Sequence, residues 1–337
     1  MKNTLLVFII TFFISACTNK EATSFYNKAQ HNYLKNNFTG ALKDFNKAIE
    51  LNPKYIAAYN KRGRLKDTLK DYAGALADFN NAISLDSSIA VIYCNRGTTE
   101  VYLNDYKSAF SDFNKAIRLD PKMAPAYNQL GQIELNTYNY QEAFEYCNKA
   151  IALDSLYTVA YANRGYCRIF LNDFNGSISD CNKAIKLDSS YASAYICRGL
   201  AKSRLKYFRD AILDYDKALT INSHISLGYC YRGIAEFALH ENDTAMKDFN
   251  KSIALNPQEV ITYYSRGLLR NSLKDYHGAI SDYNKAIELY PNFTMAIPSR
   301  GLSKIYSGDK EGGCEDLNTA KEKGFATIED SIKKYCK

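Results

Sequence analysis

The chain has 337 residues, 46% hydrophobic and 23% charged, with a formal charge of +7. That balance excludes a disordered tail and a polytopic membrane protein. Six prolines and 17 glycines exclude collagen-like and proline-rich low-complexity chains.

Lys2 gives a basic start, and Leu5 to Ile14 is apolar apart from Thr11. Ten helical residues cover roughly 15 Å, about half a bilayer core, which suits a signal-peptide core and not a spanning helix. Ser15, Ala16 and Cys17 follow, then polar Thr18, Asn19 and Lys20. The stretch Ile14-Ser15-Ala16-Cys17 resembles a bacterial lipobox. The resemblance implies cleavage of residues 1–16 as a signal peptide and a thioether-linked diacylglycerol on Cys17. Residues 17–21 then form a lipidated tether. Palmitate-type chains contribute about 0.8 kcal/mol per buried CH₂, and two or more make a stable anchor. A plain secretory signal with a coincidental cysteine is the alternative. Thr18 is not the aspartate that retains such proteins at the inner membrane, which points to the outer membrane. No other stretch approaches 18 consecutive apolar residues, so lipid is the only membrane attachment expected.

A 34-residue period runs through the rest. Gly63, Gly97, Gly131, Gly165, Gly199, Gly233, Gly267 and Gly301 mark it. With that glycine as position 8, nine repeats fill residues 22–327 without insertion. Position 4 is tyrosine in seven repeats, from Tyr59 to Tyr263. Position 20 is mostly alanine, position 24 mostly aromatic, position 27 almost always alanine, and position 32 often proline. Ala41, Leu42, Phe45, Ala48 and Ile49 show helical spacing, and Pro53 ends that segment. The pattern resembles the tetratricopeptide repeat (TPR) family over about nine-tenths of the chain. The expected fold is all-α: a right-handed superhelical α-solenoid of nine helix hairpins, closed by a capping helix over residues 328–337. Stacked hairpins bury one continuous core that no single hairpin could bury. A helical glycine costs roughly 1 kcal/mol against alanine, so position 8 must gain from close helix contact. Alanine at position 20 is the expected neighbour.

Seven repeats place arginine at position 7, where the family commonly has leucine: Arg62, Arg96, Arg164, Arg198, Arg232, Arg266 and Arg300. Eight repeats place aspartate at position 23. Repeat four lacks both, with Leu130 and Tyr146. A packed arginine needs a counter-charge. Structural ion pairs are therefore expected within each hairpin, including Arg62 with Asp78, Arg96 with Asp112 and Arg198 with Asp214. An anion-binding arginine ladder is the alternative.

The last repeat is atypical, and Ile328, Ile332 and Tyr335 form a short apolar stripe fit for a cap. Antiparallel stacking would bring Cys314 near Cys336, so a disulfide is expected there, with two free thiols as the alternative. The six other cysteines after Cys17 read as small core residues. No CxxC or HExxH spacing suggests a metal, no cofactor is expected, and no nucleophile, base and orienting group occur together. Lysine at position 26 of seven repeats makes an even charged coat, not a nucleic-acid stripe. Tyrosine at position 4 reads as a core ladder in preference to a ligand-stacking one.

By family resemblance, positions 2, 5, 9, 12 and 13 line a concave groove. Position 9 turns from Gln30, Arg64, Thr98 and Gln132 to Tyr166, Leu200, Ile234, Leu268 and Leu302. Position 12 adds Ile169, Phe237 and Ile305. These eight residues form a candidate apolar groove, unless position 9 packs against its neighbouring helix. The lysine- and asparagine-rich carboxylate clamp of some family members is not reproduced at Tyr26, Gln30, Asn60, Lys61, Arg64, Cys94 and Asn95. The expected function is a non-enzymatic scaffold that binds envelope proteins or peptides. A lipoprotein that captures a glycan or peptide ligand is the alternative.

Overall fold

The computed structural model describes residues 2–325 and 328–336, with side chains from Thr18 onward. Cys17 and the signal-peptide side chains lie outside the described residues. The chain divides into two compact units, residues 1–163 and 164–337. The first holds α1 (Lys2–Leu34), α2 (Phe38–Leu51), α3 (Ile56–Thr68), α4 (Tyr72–Leu85), α5 (Ala90–Tyr102), α6 (Tyr106–Leu119), α7 (Ala124–Asn136) and α8 (Tyr140–Leu153). The division falls within α9 (Thr158–Phe170). The second unit continues with α10 (Phe174–Leu187), α11 (Ala192–Arg204), α12 (Phe208–Ile221), α13 (Ser226–Ala238), α14 (Asn242–Leu255), α15 (Val260–Ser272), α16 (Tyr276–Leu289), α17 (Ala296–Tyr306), α18 (Lys310–Glu322) and α19 (Glu329–Tyr335). The described residues form consecutive helix hairpins and contain no strand, as in a TPR α-solenoid.

Local chemistry cuts these helices to length. Asp71, Asp105, Asp173, Asp275 and Asp309 each accept a hydrogen bond from the backbone N–H three residues on. This satisfies an orphan donor at the start of the second helix. At the other end, Asp86, Asp120 and Asp188 leave the helix in extended conformation and accept from the N–H two residues on. That Asx turn starts the next first helix.

Alanines at positions 20 and 27 are fully buried, including Ala41, Ala75 and Ala109 in the first unit and Ala211, Ala245 and Ala279 in the second. Phe45, Phe79, Phe113, Tyr215, Phe249 and Tyr283 fill the space between them. The position-8 glycines do lie against position 20: a Cβ added to Gly131 or Gly233 would stand 3.2 Å from the carbonyl of Ala143 or Ala245. At Gly63, Gly97, Gly199 and Gly267 it would first meet the position-24 ring, a neighbour the sequence expectation did not include. The glycine removes volume so that a full aromatic ring can lie across the first helix.

At the C-terminus, Ile328 is buried with Ile297 and Ala320, while Phe325 and Ile332 pack against them. Tyr335 does not join this core; its hydroxyl bonds that of Tyr306 at 3.1 Å in an exposed position. Cys314 on α18 is disulfide-bonded to Cys336 after α19, with Cα atoms 5.6 Å apart.

Gly199→Ala would place a Cβ 2.6 Å from the Tyr215 ring. We expect it to destabilise the second unit by about 1–3 kcal/mol, read as a lower denaturation midpoint. Reduction of the disulfide is expected to release α19 first, at a cost of about 3 kcal/mol for a loop of this size. Hydrogen exchange with and without reductant checks this, and unchanged protection of α19 would refute it.

Candidate functional site

Among the described residues, position 7 and position 23 meet as arginine and aspartate across seven hairpins. In the first unit, Arg62 Nε donates to Asp78 at 2.8 Å and Arg96 Nε to Asp112 at 2.6 Å. In the second, Arg164, Arg198, Arg232, Arg266 and Arg300 grip Asp180, Asp214, Asp248, Asp282 and Asp316 at 2.6–3.0 Å. Nη2 reaches the other carboxylate oxygen in each pair, giving a two-pronged fork. The third nitrogen turns to the preceding repeat. Arg62, Arg96, Arg198, Arg266 and Arg300 donate from Nη1 to Asn46, Asn80, Asn182, Asn250 and Asn284, and Arg232 to Asp216. The sequence reading missed this link, although asparagine at position 25 recurs through the repeats.

The position-4 tyrosines lie beneath these arginines. Guanidinium carbons of Arg62, Arg96, Arg198, Arg232 and Arg266 sit 5.5–5.8 Å from the ring centroids of Tyr59, Tyr93, Tyr195, Tyr229 and Tyr263. Hydrogen bonding to Asp112 raises the Arg96 pKa against the opposing effect of burial. Asp248, with Asp216, does the same for Arg232. Each of these arginines thus has its charge met by a buried carboxylate.

Five aspartates also receive a cation from position 11: Lys66 on Asp78, Arg168 on Asp180, Lys202 on Asp214, Arg270 on Asp282 and Lys304 on Asp316, at 2.8–3.2 Å. Opposite Asp112 and Asp248 the position-11 residue is instead a glutamate, Glu100 or Glu236.

The eight candidate groove residues divide by position. Ile169 is fully buried with Cys181, Cys197 and Ala201. Phe237 packs on Ala245, Phe249 and Leu269. Ile305 lies against Gly313. Position 12 in these three repeats therefore contacts the second helix of its own hairpin, with Ile169 closed off and Phe237 and Ile305 still half-buried. The reason is helical phase: it lies four residues after glycine 8, on the same face. Position 9 lies about 100° away from position 8. There, Tyr166, Leu200, Ile234, Leu268 and Leu302 are half-buried. Leu200 and Leu268 rest on core clusters while leaving part of each side chain open. The Tyr166 hydroxyl reaches the Ser193 carbonyl at 3.5 Å, and burial raises its pKa well above the ordinary value.

In the first unit, position 9 is polar, with Gln30, Arg64, Thr98 and Gln132. At positions 5 and 6, Asn95 donates to Asn60 at 2.8 Å and Asn163 to Asn128 at 3.0 Å. A cleft of about 470 Å³ opens among Tyr33, Arg64, Asp67, Thr98 and Tyr102. Beside it, Tyr72 and Tyr102 stack with centroids 5.5 Å apart. Burial, offset in part by the Thr99 hydrogen bond and Arg64, pushes the Asp67 carboxyl up to about 6. Cys94, Cys147, Cys167, Cys181, Cys197 and Cys230 are buried, and burial pushes the Cys94 thiol up to about 11. Among the described residues, no group of three or more His, Cys, Asp or Glu side chains could hold a metal ion. No described helix is long and apolar enough to cross a membrane.

Family profiles described as tetratricopeptide repeat match residues 56–89, 94–157, 159–191 and 260–293, and one described as TPR repeat matches 32–66. Together they span more than half of the sequence, and the chain belongs to the tetratricopeptide repeat family. A chain of the APC/C hetero-tetramer Cut9-Hcn1 is similar with a TM-score of 0.69 and 17% identity over 86% of this chain. This chain spans only 58% of that one. A tetratricopeptide repeat protein from Parabacteroides merdae gives a TM-score of 0.53 and 22% identity, over 73% of this chain and 96% of its own. Pseudomonas aeruginosa pilF gives a TM-score of 0.53 and 17% identity, over 61% and 94%. At these identities the likeness is one of fold. No curated protein matches the chain by sequence.

Arg232→Ala would leave Asp248 buried with no position-11 cation, and a loss of about 3 kcal/mol or more is expected. Arg266→Ala should cost less, because Arg270 still holds Asp282 at 2.8 Å. Urea midpoints of the two variants check the ranking, and equal losses would refute it.

Proposed function

We propose that this chain is a non-enzymatic protein-interaction scaffold, tethered to the bacterial envelope by lipid on Cys17, at the outer membrane. Its partners are envelope proteins or peptides. One observation carries the binding reading: Leu200, Ile234, Leu268 and Leu302 recur at one register on successive first helices, half-open and apolar. An open apolar row of that kind favours a partner's apolar side chains over water. The lipid reading rests on the sequence from Lys2 to Lys20. A second reading, capture of a glycan or peptide ligand, is favoured by the Tyr72–Tyr102 stack beside the polar cleft of the first unit. Aromatic faces of that kind suit ring stacking.

Crosslinking pull-down of the lipidated chain tests the scaffold, repeated with Leu200→Glu, Ile234→Glu and Leu268→Glu together. Loss of defined envelope partners with the helical signal retained is the expected result, whereas an unchanged partner set would remove the apolar row. Labelling with a palmitate analogue should be lost in Cys17→Ser, and retained label would remove the anchor.

A further inference from the structure

Repeats three and seven break the charge pattern of the array from inside. In five other hairpins, position 11 brings a second cation to the buried aspartate. Here it brings a second carboxylate. Glu100 faces Asp112, and Glu236 faces Asp248, and each aspartate already has both oxygens held by one arginine fork. Glu134, the other acid at this position, belongs to the repeat in which Tyr146 replaces the aspartate. Glu236 is 8% exposed, and the Oε2 atoms of Glu100 and Glu236 are both buried without a hydrogen-bond partner. Two carboxylates beside one guanidinium leave an uncompensated negative charge in a poorly solvated place.

We propose that Glu100 and Glu236 are proton-binding sites, each holding a proton in the folded chain, and that loss of this proton loosens its hairpin. One site lies in each compact unit, four repeats apart. The charged groups around them are few. Glu100 faces Arg96 on its own helix, Asp112 on α6 and Asp105 at the intervening turn. On the α3 side, Asp67 binds the adjacent Thr99, and on α4 the uncharged Asn80 takes the spare arginine nitrogen. Glu236 faces Arg232 on its own helix, Asp248 on α14 and Glu241 at the turn. Thr244, whose hydroxyl donates to the Glu241 carbonyl at 2.9 Å, lowers the Glu236 pKa slightly, Arg209 of α12 pairs with Glu241, and Asp216 of α12 takes the far side of Arg232.

Burial, then the neighbouring aspartate, pushes both glutamates up from an ordinary 4.5 to about 7, with the arginine opposing. The folded chain therefore binds more protons than the unfolded chain between about pH 4.5 and 7. Stability must fall as pH rises through that window, and the loss is complete above it. This runs opposite to an ion-paired carboxylate, whose stabilisation is lost on acidification.

The test is urea denaturation of the full chain at a series of pH values from about 5 to 8.5, with hydrogen exchange read over α5–α6 and α13–α14. In the wild type, the opening constant of these hairpins should rise at least about tenfold across the series. In Glu100→Gln with Glu236→Gln that rise should disappear, leaving the smaller dependence from Asp67. Glu236→Lys, in register with Lys202 and Lys304, guards against failure of the glutamine variant to fold. It should stabilise far more at pH 8 than at pH 5.5. Infrared difference spectra should show a protonated carboxyl band at pH 6 that the two glutamine substitutions reduce to the part owed to Asp67. A pH dependence of wild-type size in the variants, or the absence of that band in the wild type, would overturn the proposal.

Discussion

One interaction sets the geometry of this chain: the fork of a position-7 arginine on a buried position-23 aspartate. A planar guanidinium gripping a planar carboxylate at two points fixes distance and rotation between the two helices of a hairpin. Apolar contacts alone tolerate sliding, because dispersion has little direction. The third guanidinium nitrogen extends the constraint to position 25 of the preceding repeat, as with Arg198 and Asn182. One side chain thus specifies both the hairpin and its junction. The tyrosine beneath it buries its ring and offers a π face to the same cation.

The packing around that fork follows from volume. An aromatic ring at position 24 crosses the first helix only because position 8 has no Cβ. This also orients the remaining positions. Those four residues from the glycine lie over the second helix, so Ile169 is buried there while Phe237 and Ile305 pack on it half-buried. Those one residue from it stand at the edge of the contact, so Leu200 and Leu268 are half-open. A candidate binding row is therefore a by-product of hairpin geometry, available to whichever side chains the sequence places there.

Charge arrangement inside the array carries its own information. Five hairpins use two cations on one aspartate, and two use one cation on two acids. The overall charge of +7 conceals this, since that value counts residues without regard to solvation. Large carboxyl shifts, as at Glu100 and Glu236, arise where composition looks ordinary and burial does not.

Sequence by itself determined the repeat, its length and its all-helical hairpins, because spacing, caps and small residues act locally and recur every 34 residues. The joint absence of arginine and aspartate from repeat four also put their pairing within reach of the sequence, as one residue has no use for its place without the other. The aromatic ring laid across the glycine, the asparagine link and the closing-off of Ile169 were decided only in the tertiary structure. Each depends on the rotation of one helix against another to within a fraction of a turn. Hydrophobic periodicity fixes a face about 100° wide and no better. Only the packed ring, the forked charge and the missing Cβ select one orientation within it.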